Sequence, residues 1–169
     1  MHDAIHKQPA APFNSALETG VRALAILAAA YPNGHDLHRL VQYDYLTVHS
    51  ADADGPPSLH PALPLRSNEL LVRRHLVERG LLLMMSAGLV ARYIDANGFQ
   101  YAAEDAAGAF LANLKSEYLA GVKERADWVI ETFDSMTNEE LVGVTKKLFE
   151  AWTVEFLPIE SGQQLELPT

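Results

Sequence analysis

Imidazole and carboxylate side chains concentrate in one short stretch, where His49, Asp52, Asp54 and His60 follow one another closely. On a flexible loop such groups could close around zinc, manganese or iron, and the chemistry they would then support is metal-dependent hydrolysis. Their spacing matches no fixed ligand motif, and a structural reading competes with it. In that reading His49 caps carbonyls at the end of a helix, Asp52 and Asp54 form turns, and His60-Pro61 packs the loop onto the body. The structural reading is preferred, so no metal is expected. Asp44 with His38 or His49 could be drawn as an acid–base pair, but no serine or other nucleophile stands in an activation motif such as Gly-x-Ser-x-Gly. Neither Gly-x-x-x-x-Gly-Lys-Ser/Thr nor Gly-x-Gly-x-x-Gly is present, so the usual phosphate cradles are missing. An enzyme is not expected, no cofactor is implied, and any ATP hydrolysis would belong to a partner.

A second group is cationic: Arg66, Arg73, Arg74 and Arg79, joined by Arg92. These arginines could meet nucleic acid or an acidic partner; interleaved with Glu69 and Glu78, they also read as a solvated helix face. A net charge of −9, from 13 basic and 22 acidic residues, argues against binding DNA through the overall field, because neutralising phosphates needs clustered lysine and arginine. Tyr43, Tyr45, Trp128, Trp152 and Phe156 stand mostly at helical spacing from apolar neighbours, which favours packing over base stacking. Leu148, Trp152 and Phe156 recur every fourth residue, a stripe suited to a protein–protein contact.

Helical patterns must position most of these groups. Ser15-Ala16-Leu17-Glu18 has the form of a capping box, followed by Leu17, Val21, Leu24, Ala25, Leu27 and Ala28 until Tyr31-Pro32-Asn33-Gly34 stops the helix. Asp36 can cap a second helix, in which Leu37, Leu40, Val41, Asp44, Tyr45 and Val48 share one stripe; an aspartate there requires a hydrogen-bonding partner. A polar loop from Ser50 to Pro64 spends four of the nine prolines, and a loop this long in a small domain is usually functional or mobile. Ser67 then caps a third helix with Leu70, Leu71, Val77, Leu81, Met84 and Met85 on its buried side, Gly80 at a bend or close contact, and Gly88 at its end. From Leu89 the period changes to two β-prone runs around an Asn-Gly turn in Asp95-Ala96-Asn97-Gly98, a hairpin signal. Further helices are expected over 104–114, 116–133 and from the capping box at Thr137 to about Phe156. Three helices and a wing, in that order, predict a mainly α fold with a winged helix-turn-helix-like core, one β-hairpin wing and additional C-terminal helices. That order keeps a winged-helix DNA-binding regulator as the alternative function.

With 169 residues, 49% hydrophobic and 21% charged, the chain has enough material for one buried core and falls short of the usual size for two. A single domain over 13–157 is expected, with a flexible arm at 1–12 and a flexible tail at 158–169. No cysteine is present, which excludes disulfides and thiolate ligands and fits the cytoplasm. The first dozen residues have no apolar stretch of the kind a signal peptide needs, and Leu81-Leu82-Leu83-Met84-Met85 is far too short to cross a bilayer.

The loop and the helix after it carry a resemblance. His49-Ser50, Pro56, Ser58-Leu59-His60-Pro61, Pro64, Arg66 and Glu69-Leu70-Leu71-Val72-Arg73-Arg74, with Arg79-Gly80-Leu81 and Gly88-Leu89-Val90, resemble the second type of middle component of bacterial ABC-three-component systems. The resemblance runs from about Phe13 to Phe156. It implies a non-catalytic adaptor whose partners are an SMC-like ABC ATPase and a third system component, in a set directed against phages or other mobile elements. His49, Ser50, Ser58 and His60 match its loop motif, to which no chemistry is assigned. DNA contact is left to the assembled complex, no membrane is involved, and a homodimer is allowed.

Overall fold

The computed structural model describes residues 15–62 and 69–156, with side-chain surroundings given as far as residue 150. The expected caps form. The Ser15 hydroxyl accepts from Glu18 N–H at 3.1 Å and opens α1 (Ala16–Ala30); Asp36 accepts from Arg39 N–H at 2.7 Å and opens α2 (Leu37–Val48). A short 3-10 helix (Ser50–Ala53) leads into the proline loop, ending at Asp54 with φ of 59°. The third helix, α3 (Glu69–Ser86), runs unbroken through Gly80. It stops at Gly88, whose φ of 72° lets Leu89 N–H bond to Met84 O at 2.9 Å and Gly88 N–H to Met85 O at 3.0 Å, a Schellman ending.

Strands β1 (Val90–Asp95) and β2 (Gly98–Ala103) form an antiparallel hairpin in which Val90 faces Ala103 and Asp95 faces Gly98. The turn differs from the expected Asn-Gly pair: its central residues are Ala96 and Asn97, both with negative φ, and the positive φ, 105°, falls on Gly98. Beyond the hairpin come α4 (Ala107–Ala112), α5 (Glu117–Phe133) and α6 (Asn138–Phe156). The Thr137 capping box closes in both directions, Thr137 N–H to Glu140 Oε2 at 2.8 Å and Glu140 N–H to Thr137 Oγ1 at 3.2 Å.

The core gathers around α1 and α2, which are buried on nearly every side. Helix α1 packs on α3 and α5, and α2 on the same two. At the α1–α3 crossing the backbones meet glycine to glycine: a Cβ at Gly20 would lie 2.7 Å from the Gly80 carbonyl oxygen. Gly80 therefore serves the close contact. The result is a mainly α protein whose helix order and hairpin are consistent with a winged-helix-like fold. The expected arm and tail, the Ser67 cap and Arg66 lie outside the described residues, as do the side chains of Trp152 and Phe156.

Candidate functional site

Asp44 sits in the apolar stripe of α2 with no exposure at all, and a carboxylate there survives only if its oxygens are satisfied. They are. Arg22 of α1 donates through Nε to Oδ1 at 2.8 Å and through Nη2 to Oδ2 at 3.1 Å, while Arg73 of α3 donates to Oδ2 from the other side. Arg73 also bonds Glu69 one turn earlier and lies over the Tyr45 ring, 5.7 Å from its centroid. Burial alone would raise the Asp44 carboxyl; the Arg22 and Arg73 guanidiniums outweigh it and hold the group down at about 2. The same pairing outweighs burial at Arg22 and raises its already high affinity for a proton.

This geometry corrects the sequence reading at Arg73. It stands on the inner face of α3 with Val77, Gly80, Leu81 and Met84, only 5% exposed, because Asp44 needs a second cation there. Leu71, expected inside, is 64% exposed. Arg74 and Arg79 do face outward, but five residues on a helix turn through about 140°, so they do not share one stripe. Arg92 is on the hairpin, its guanidinium 4.8 Å from the Phe99 ring centroid. Of the four described arginines, one is thus buried, two stand on different stripes of α3 and one is on the hairpin.

The loop motif is brought together, and its residues hold the loop in place. His49 is buried at the end of α2, its backbone N–H bonded to Tyr45 O at 2.9 Å and its ring against Tyr45. Ser50 Oγ donates to Pro56 O at 2.8 Å, Ser58 Oγ accepts from Ala51 N–H at 3.1 Å, and Tyr45 OH donates to Asp52. Helix α5 clamps the outside: Arg125 donates to Pro57 O through Nε at 2.8 Å and Nη2 at 2.7 Å, and the Trp128 indole covers Gly55. His60 stacks on Tyr118 with Nε2 2.7 Å from its hydroxyl. Burial, with the Arg22 charge behind it, lowers the His60 imidazole to about 4, so it is neutral at pH 7. Among the described residues no group of three or more His, Asp or Glu side chains is placed to hold a metal.

A second polar junction had no signal in the sequence. Arg39 of α2 caps the end of α5, donating to Phe133 O at 3.0 Å and Met136 O at 2.7 Å, and reaches Asn138 Oδ1 at 2.9 Å as α6 begins. Tyr43 and His35 both meet Asp134 at 2.9 Å. Helix α6 is further tied to α2 where Thr145 Oγ1 meets Gln42 Oε1 at 3.1 Å, and Leu148 lies half-buried against the core.

Large apolar side chains are exposed on the outer face of α3 and at the tip of the hairpin, and also at Leu17, Tyr31 and Val142. Leu71, Val72, Leu82 and Leu83 are exposed among Arg74, His75, Glu78 and Arg79; Ile94 and Phe99, paired across the strands, are 71% and 53% exposed. A mixed apolar and charged surface of this kind is suited to another protein.

The sequence profile of the ABC-three component (ABC-3C) system Middle Component 2 family matches residues 12–155. The chain belongs to that family. Membership makes it one component of a multi-component ABC system, which by construction works with others. No curated protein and no solved structure is significantly similar to the chain. No described helix is long and apolar enough to cross a membrane.

Proposed function

We propose that this chain is a non-catalytic bridging subunit, joining an SMC-like ABC ATPase to the third component of its system in the bacterial cytoplasm, in a set directed against phages or other mobile elements. The observation that carries this reading is the outer face of α3. In a winged helix the third helix is the one offered to a ligand, and here that face carries Leu71, Val72, Leu82 and Leu83 beside charges of both signs. Phosphate binding needs a cationic track; a protein interface needs apolar anchors with a polar rim. The buried ion pairs supply rigidity behind that face, since the Arg73 side of α3 is locked to Asp44.

The alternative is a DNA-binding regulator, favoured by one observation: Arg74, Arg79 and Arg92 are exposed on the helix and the wing. Co-expression of the three components separates the readings. The bridging account expects the ATPase and the third component to co-purify only when this chain is present, and the isolated chain to leave a duplex DNA fragment unshifted at physiological salt. Tight, salt-sensitive DNA binding by the isolated chain would replace the bridge with the regulator.

A further inference from the structure

Among the described residues, the hairpin has one edge occupied and one edge open. On the ladder, Glu104 N–H bonds to Leu89 O at 2.9 Å, and hydrogen-bonded pairs alternate along an antiparallel register. Ala91–Ala102, Tyr93–Gln100 and Asp95–Gly98 are then the bonded pairs. The N–H and C=O groups of Arg92 and Ile94 must point away from β2. Tyr101, opposite Arg92, confirms the phase: its own backbone groups point outward on the β2 side, where His35 takes both, at 2.9 and 2.8 Å. The protein thus already adds an extended residue to one edge of this hairpin. On the β1 edge, among the described residues, no backbone group from outside the hairpin bonds to Arg92 or Ile94, and Arg92, Tyr93, Ile94 and Asp95 are all exposed. An open edge with no proline and no bulge is a template for another strand.

We propose that the outer edge of β1 receives an extended segment of another component of the system, one that carries an acidic and an apolar side chain two residues apart. This rests on the bridging reading. Arg92 and Ile94 point to one face of the hairpin together with Phe99, so on that face a strand laid beside them sets one side chain against a cation and another, two residues along, against an exposed aliphatic and aromatic pair. A second copy of the chain fits less well. Two β1 edges pair about a two-fold axis with outward residues opposite each other, and neither register of greatest overlap gives Arg92 an anion: one sets it against its own counterpart, a like-charge pair, and the other sets it against Ile94.

The full chain, co-expressed with the ATPase and the third component, provides the test. Amide exchange of the wild-type chain should slow at least about tenfold at Arg92 and Ile94 on assembly. Ile94→Pro deletes one outward N–H while leaving the β1–β2 bonds intact; it should weaken assembly about tenfold or more with its circular dichroism and Tm unchanged. Amides that exchange as freely in the complex as in the free chain overturn the proposal, and decide alone if Ile94→Pro does not fold. So does a Ile94→Pro chain that assembles normally, which leaves the bridging reading standing. A free chain that sediments as a dimer, and as a monomer once Ile94→Pro is made, would give the edge to a second copy and overturn the proposal as well. Failure of the wild-type chain to form any complex removes the bridging reading and this one together.

Discussion

Arginine has no acceptor, and that fact orders the buried chain from Asp44 to His60. Arg22 donates to Asp44 and bonds the Tyr118 hydroxyl, so the Tyr118 oxygen must accept and its hydrogen is left for His60 Nε2. The arrangement requires a neutral imidazole with its proton on Nδ1, in agreement with its lowered pKa. The sign of the pH dependence follows. An unfolded chain protonates His60 near 6.5, whereas the folded chain resists until about 4, so the stability present above pH 6.5 is lost progressively as pH falls toward 4. Thermal melts over that window should show a falling Tm in the wild type and a flatter profile in His60→Gln; identical slopes would remove His60 from the relay. Asp44→Asn acts more severely, since it leaves two buried guanidiniums facing a neutral amide. A loss of about 3–5 kcal/mol is expected by urea denaturation, and a loss under about 1 kcal/mol would show that the pair is not what holds α1, α2 and α3 together.

At the scale of elements, the α1–α3 crossing depends on two residues with no side chain. Gly80→Ala would drive a methyl into the Gly20 backbone, and overpacking of this kind costs about 1–3 kcal/mol; an unchanged Tm would mean the helices can part without penalty. Local signals were legible from the sequence alone. Ser15, Asp36 and Thr137 cap where they were expected to, Gly88 ends α3, and the hairpin lies in its expected place. The exceptions have one cause in common. Arg73 reads as surface because its charge is visible in the sequence and its partner, Asp44, is 29 residues away; Arg22 and Arg39 were overlooked for the same reason. Leu71 reads as core because periodicity places it beside Leu70, yet once Arg73 takes the inner face the helix is rotated and Leu71 faces out. Asp44 was the exception that announced itself, since a carboxylate in an apolar stripe demands a partner even when the partner cannot be named.

For the whole molecule, the division of labour is between buried ion pairs set in an apolar core and a mixed apolar and charged outer face. The ion pairs fix α3 from behind, while on its outer face Val72 and Leu82 are 59% and 54% exposed. Truncated or charged, they should cost little stability while removing anchors from any interface they serve. The most direct measurement is therefore the mass of the co-expressed assembly by size-exclusion chromatography with light scattering, comparing the wild-type chain with Val72→Glu/Leu82→Glu. The bridging account predicts a three-component mass for the wild type and its disappearance in the variant, whose Tm stays within a few degrees. An undiminished three-component complex in the variant would contradict it.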